Sequence, residues 1–512
     1  MEHLGWVSII PPLLAIVAAL VTKNVIISLF IGTFSGVLIL TGGMPLSATK
    51  TIISDYLFFQ LTDGYNAGVL VLLVFIGGFV ALMEKSGGAA AFAEKVIRFL
   101  NSKAKTQLAA WFGGIIIFFS DLGTPLLVGP IFEKIFDKAK ISREKLAWII
   151  DSTASPVAVL IPFIGWGVYI MGLIQKEYDS LKITETDWDA FIQAIPFQFY
   201  PILAVLMVPL VALTKLEFGA MAKAEKRVQE TGALFWPNSK PMRKPDNMTE
   251  LQNTKSKASL IFVPLLVLLV TLFGMLIPLG FPFEKIDGSA FRVALTTAYL
   301  FAAIVLIGLM VFYKVKKFNE VFDIYLSGMQ RMMTVAAILV LAWSLGTVMK
   351  NLGTANYVVE IMDGNIPVYL IPIILFAGGA CMSFATGTSW GTFAIMMPLA
   401  IPMAVHLDAS IYVCIGAVLS GGIFGDHCSP ISDTSILSST GAGSDHIDHV
   451  KTQLPYALLN GAAALAAYLI AGLTSSVLSL GAAIMIMITA VVVISKWQNQ
   501  KMVGADKGNY LN

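Results

Sequence analysis

The sequence predicts an all-α polytopic membrane protein of about eleven transmembrane helices plus two re-entrant hairpins, arranged in inverted repeats. Three observations carry this expectation. Apolar residues make up 57% of the 512 residues and charged residues only 13%, whereas a soluble chain of this length needs a charged surface. The apolar residues fall in blocks of about 18 to 25, the length at which a helix crosses a ~30 Å hydrocarbon layer. Polar and acidic residues interrupt these blocks at matching places in the two halves.

In chain order, the blocks place spans at 6–22, 24–41, 66–84, 146–174, 198–215, 259–278, 291–313, 332–349, 410–440, 454–473 and 476–496. Glu2 and the lack of a basic leading stretch make 1–22 an uncleaved first helix rather than a signal peptide. Segments 45–62 and 315–331 read as interfacial amphipathic helices. Stretches 106–137 and 366–405 are each interrupted near the middle and read as re-entrant hairpins. Charge supports the first. Lys95, Arg98, Lys103 and Lys105 precede it, and Lys134, Lys138, Lys140, Arg143 and Lys145 follow it. Basic flanks mark the cytoplasmic side, so this segment enters and leaves on one face. Loop 175–195 carries Glu177, Asp179, Glu185, Asp187 and Asp189 and fits outside. The Lys/Arg-rich loop 215–258 and the group Lys314, Lys316 and Lys317 fit inside. The N-terminus then lies outside and the C-terminus inside. A thirteen-span alternative places one basic flank of the first hairpin outside.

The chain divides into a first repeat, 1–214, with hairpin 106–137 and broken helix 146–174. A cytoplasmic linker, 215–258, follows; it is charged, contains Pro237, Pro241 and Pro245, and shows no apolar period. The second repeat, 259–475, contains hairpin 366–405 and broken helix 410–440, and an extra C-terminal helix and tail occupy 476–512. Three landmarks recur in one order. Residues 83–89 match 349–355, Gly123-Thr124 matches Gly387-Thr388, and 151–156 matches 426–430 through Asp and Ser-Pro. The topology puts the two hairpins on opposite faces, so the repeats are inverted. Inverted repeats with helices broken near the midplane mark secondary transporters, because a structure and its inverted copy can exchange roles in alternating access.

Four polar breaks supply the candidate site. The first hairpin tip is Ser120-Asp121-Leu122-Gly123-Thr124-Pro125. Pro125 removes an amide donor and Gly123 permits unusual dihedrals, so the helix opens and frees carbonyls. Such backbone persists at membrane depth only where it is buried in protein or lines a cavity. The second break, inside a span, is Asp151-Ser152-Thr153-Ala154-Ser155-Pro156. The third, at the other hairpin tip, contains Ser383, Thr386, Gly387, Thr388, Ser389 and Trp390. The fourth contains Asp426, His427, Cys428, Ser429, Pro430, Ser432, Asp433 and Thr434. Asp121, Asp151, Asp426 and Asp433 are the Na⁺ candidates, and the hydroxyls offer neutral oxygens of the kind hard cations prefer. Half-helix N-termini meeting there also suit a small carboxylate or amino acid.

Blander readings stand beside these. A single Ser or Thr in a membrane helix usually bonds its own helix. The acids also fit a structural network. His427 beside Asp426 fits proton handling and equally a histidine that caps the break. His446 and His449, with Asp445 and Asp448, read as a solvated polar loop, with a metal site as the weaker alternative. Trp390 reads as packing, and Glu84 and Lys350 as snorkelling side chains at span ends.

Other classes fit less well. No nucleophile elbow, His-Glu-x-x-His or Walker A loop is present, so neither an enzyme nor an ATP-driven pump is expected, and no cofactor beyond the coupling ions. No basic tract with interleaved aromatics points to nucleic acid, and Cys381, Cys414 and Cys428 lack ligand or disulfide spacing. A passive channel fits paired hairpins less well than a carrier does.

The run 425–434, Gly-Asp-His-Cys-Ser-Pro-Ile-Ser-Asp-Thr, together with 383–391 and 151–156, resembles the NhaC-type Na⁺/H⁺ antiporter family over roughly 5–495. The resemblance implies a multi-pass protein of the bacterial cytoplasmic membrane within the broader ion-transporter superfamily. It further implies a homodimer with an elevator-type architecture. The transport domain would hold 106–174 and 366–440, and the scaffold 6–41 and 259–313. The implied function is Na⁺/H⁺ antiport. The alternative is a Na⁺- or H⁺-coupled carrier of a small carboxylate or amino acid, by symport or exchange.

Overall fold

Long apolar runs become helices because a helix satisfies its backbone within itself, which lipid requires. The computed structural model describes residues 3–89, 91–92, 101–242, 256–281, 286, 288–362 and 366–509. Among these residues there is no strand, only an isolated bridge between Pro241 and Asp445. Among the described residues ten helices are long and apolar enough to cross a membrane, or up to 12 when each bent pair counts as one span. That range includes both arms of the second hairpin, which the expected eleven spans left out.

One group of helices is built around Phe318–Leu352, which packs along Gly64–Lys85 and Val25–Leu40, with Gly288–Phe312 beside it. Close approach here depends on two glycines. A Cβ on Gly77 would sit 2.6 Å from the Gly328 carbonyl oxygen, so any larger residue pushes these helices apart. A second group surrounds Ile411–Cys428, whose neighbours are the arms Ile371–Thr386 and Ser389–His406, then Phe199–Thr214 and His446–Thr474.

The second half departs from expectation at 315–331. That segment is not a separate interfacial helix; it is the start of the continuous 35-residue helix Phe318–Leu352. No proline interrupts it, and Gly328 is used for packing rather than for a turn. In the first half the matching region does bend. Pro45–Thr62 turns 114° away from Val25–Leu40, and Asp63 then caps Gly64–Lys85 by accepting the Asn66 amide at 2.9 Å.

The linker also carries more order than its composition suggests. Gly219–Thr231 is a helix, and Arg227 donates to both carboxylate oxygens of Glu144 at 2.9 and 3.0 Å. The following stretch reaches the end of another helix, where the Lys240 amide donates to Asp445 at 2.6 Å and the Met242 amide to the Ser444 carbonyl at 3.0 Å. His446 and His449 are therefore not in a loop; they occupy the first turns of His446–Thr474, which Asp445 caps. Linker residues 243–255 with Pro245, the flanking charges Lys95 and Arg98, and tail residues 510–512 lie outside the described residues.

Candidate functional site

Each polar break is held open by its own hydroxyls and by its neighbours. In the first hairpin, Lys103–Ile116 and Gly123–Lys138 are joined by a turn. Ser120 Oγ accepts the Gly123 amide at 2.8 Å and donates to Glu84 at 2.7 Å. Thr124 donates to the carbonyls of Ile117 and Ser120, at 3.1 and 2.9 Å, and so satisfies groups that the break frees.

In the second hairpin, Gly387 ends Ile371–Thr386 with φ +68°, a conformation that favours glycine. A Cβ there would lie 2.5 Å from the Ile431 carbonyl oxygen, so this tip sits directly against the break in the neighbouring helix. That break runs from Cys428 to Asp433, between Ile411–Cys428 and Asp433–Ala442. Ser429 donates to the Phe384 carbonyl at 2.7 Å, and Ser432 accepts the Ser435 amide at 3.3 Å to start the next helix. Thr386 bonds back to the Met382 carbonyl at 2.9 Å.

These elements enclose a cavity of about 380 Å³. Asp121 reaches it from the first hairpin, Ser155 from the first broken helix, and Asp426, Asp433 and Thr434 from the second. Gly387, Thr388 and Ser389 line it from the second hairpin tip. Thr434 donates to Asp426 at 3.3 Å, while Ser389 donates to the Gly422 carbonyl at 3.3 Å. Ser155 is buried, and its hydroxyl has no hydrogen-bond partner among the described residues. An unpaired buried hydroxyl on the wall of an acidic cavity is an open ligand position. On one side of the cavity, Trp166 and Trp390 meet with ring centroids 4.6 Å apart, and Tyr169 fixes the backbone by donating to the Trp390 carbonyl at 2.6 Å.

The structure divides the expected site residues into two places. Asp151 does not line the cavity; it is sealed behind it at 1% exposure. Its carboxylate accepts from Ser435 at 2.8 Å, Ser438 at 3.2 Å and Gln453 at 2.7 Å. His449 and His427 approach the same oxygen at 3.4 and 3.6 Å. His427 also faces the Tyr200 hydroxyl at 2.8 Å, and Gln453 donates to the His427 carbonyl at 2.6 Å. Asp151 thus joins the end of Arg143–Asp151 to three other helices. Ser152, likewise buried, lies outside the cavity lining, as do Gly123, Thr124, Thr386, Ser429 and Ser432. Several of these shape the breaks without facing the cavity.

Glu84 and Arg331 are the main additions. Glu84, read from sequence as a snorkelling residue, instead lines the cavity and bonds to Ser120 on one side and to Arg331 at 3.1 Å on the other. Sequence gave no direct signal for Arg331, because its segment read as interfacial. His449 and Gln453 did leave a signal. They are spaced four residues apart and so share one face of a helix that is apolar further along.

The sequence pattern of the Na⁺/H⁺ antiporter family matches residues 157–473. An uncharacterised protein of Haemophilus influenzae is 35% identical over 485 residues, which cover 92% of this chain and 91% of that one. A malate-2H⁺/Na⁺-lactate antiporter of Bacillus subtilis is 27% identical over 38% of this chain and 40% of its own. The crystal structure of the YdaH transporter of Alcanivorax borkumensis has a similar fold, with a TM-score of 0.54 at 16% identity over 86% of this chain and 87% of that one.

Proposed function

This chain belongs to the Na⁺/H⁺ antiporter family and is a secondary transporter, and from that premise we propose that it exchanges Na⁺ for protons at the cavity between its two hairpin tips. The observation that carries this reading is the convergence of Asp121, Asp426 and Asp433 on one space. Carboxylates bind a hard cation or a proton but not both, so competition at the same groups produces exchange. Ser155, Thr388, Ser389 and Thr434 supply neutral oxygens. In this reading Asp151 is a frame residue rather than a cation ligand, because its oxygens are already taken up by protein donors.

Alternating access follows if the hairpin-bearing helices move against the group built on Phe318–Leu352. The matching breaks in the two halves support an inverted-repeat origin for this motion and an elevator-type division into transport and scaffold domains, with a homodimer as the working assembly. Localisation in a bacterial cytoplasmic membrane, with the N-terminus outside and the C-terminus inside, agrees with the loop charges.

A second reading has one specific observation behind it. About 380 Å³ exceeds what a single ion fills and lies in the range of small-molecule sites. A Na⁺- or H⁺-coupled carrier of a small carboxylate or amino acid would use the same acids for its coupling ion. Purified protein in liposomes separates the two. Na⁺ added outside should drive proton movement reported by an internal pH dye. Proton-silent liposomes that accumulate an organic acid instead would replace the first reading with the second.

A further inference from the structure

Four carboxylates border the cavity: Glu84, Asp121, Asp426 and Asp433. A single cationic side chain borders it among the described residues, Arg331. Arg331 projects from Phe318–Leu352, is 56% exposed, and pairs with Glu84 through one nitrogen at 3.1 Å. A guanidinium has five N–H donors in a fixed fork, so a one-nitrogen contact at a half-exposed position is a loose pairing. The other oxygen of Glu84 accepts from Ser120, the residue preceding Asp121 at the hairpin tip. The fixed charge is therefore tied, through Glu84, to the tip that carries one of the cavity acids. Ser155, which lines the same cavity and is buried with no hydrogen-bond partner among the described residues, marks the space as one that a ligand completes.

We propose that Arg331 is a tethered counter-ion of this cavity. It offsets part of the acid cluster when no transported cation is there, and it opposes that cation once bound. The physical reason is Coulombic. Several carboxylates around a small, partly dehydrated space repel one another, and a fixed positive charge at the rim relieves that repulsion. The same charge lowers affinity for an incoming cation, which keeps release fast enough for turnover. A neutral residue at this position makes the site bind more tightly and cycle more slowly.

This inference rests on the cation reading of the cavity. Its test is a Na⁺ titration of the thermal unfolding of the purified full chain, with choline holding ionic strength constant. Arg331→Gln should lower the Na⁺ Kd by about tenfold, the effect expected from one charge removed at the rim of a partly hydrated site. Arg331→Lys keeps the charge and should stay within about twofold of the wild type. The side chain is half exposed, so neither change should disturb folding. An Arg331→Gln protein whose Na⁺ affinity is unchanged or weaker overturns the counter-ion role while leaving the cation site standing. A wild type that gains no protection from Na⁺ removes the cation reading and this inference with it.

Discussion

Asp151 and Asp426 each stand a few residues before a Ser-Pro pair, yet their surroundings differ in kind. Asp151 is enclosed by Ser435, Ser438, Gln453 and two histidines. Asp426 accepts from Thr434 at 3.3 Å, with the Ser432 and Ser389 hydroxyls also beside its carboxylate, and it lines the cavity. A carboxylate whose lone pairs are occupied by protein donors is a joint. One that borders a cavity, with only hydroxyls beside it, is a place for a ligand. In the proposed exchange the two acids divide these tasks.

The comparison breaks most visibly if Asp151 is removed. Asp151→Ala leaves two serines, a glutamine and two histidines facing an empty buried position and should lower stability by about 4 kcal/mol, read as loss of folded protein in thermal unfolding. Asp426→Asn should do the reverse. Thermal stability changes little, because Asn keeps an oxygen that accepts from the same hydroxyls, while ion-coupled transport in liposomes falls by about a hundredfold. If both variants unfold alike, the division of tasks is wrong.

A smaller effect tests how the cavity wall is set. Gly387→Ala forces a side chain into positive φ and against the Ile431 carbonyl, which should cost about 1–2 kcal/mol and shift the hairpin tip. Transport should fall more than stability does. Gln453→Leu should have the smallest effect, about 1 kcal/mol of stability with Na⁺ binding retained, because the change loses donors to Asp151 but touches nothing in the cavity.

Much of this was readable from sequence, and the limits have physical causes. The breaks announce themselves because Asp, Gly, Pro and hydroxyl residues cluster there inside apolar runs, where one of them alone would serve packing or bond its own helix. Eight of the expected residues, among them Asp121, Ser389 and Asp433, do line one cavity. Composition could not reveal which acid faces inward, because Asp151 and Asp426 each precede a Ser-Pro pair and the deciding difference is what packs beside them. His449 and Gln453 come from a helix that starts well beyond the break. Arg331 was lost because a polar residue near a predicted span end reads as interfacial, whereas here the helix continues and that residue meets the cavity mouth.

In the proposed exchange the cation sits at the open acid and not at the enclosed one. Na⁺-dependent thermal stabilisation, measured side by side in the wild type, Asp426→Asn and Asp151→Asn, tests it most directly. Protection by Na⁺ should vanish in Asp426→Asn and persist in Asp151→Asn, though from a lower starting temperature. Protection that persists in Asp426→Asn and vanishes in Asp151→Asn would instead place the ion in the sealed network around Asp151.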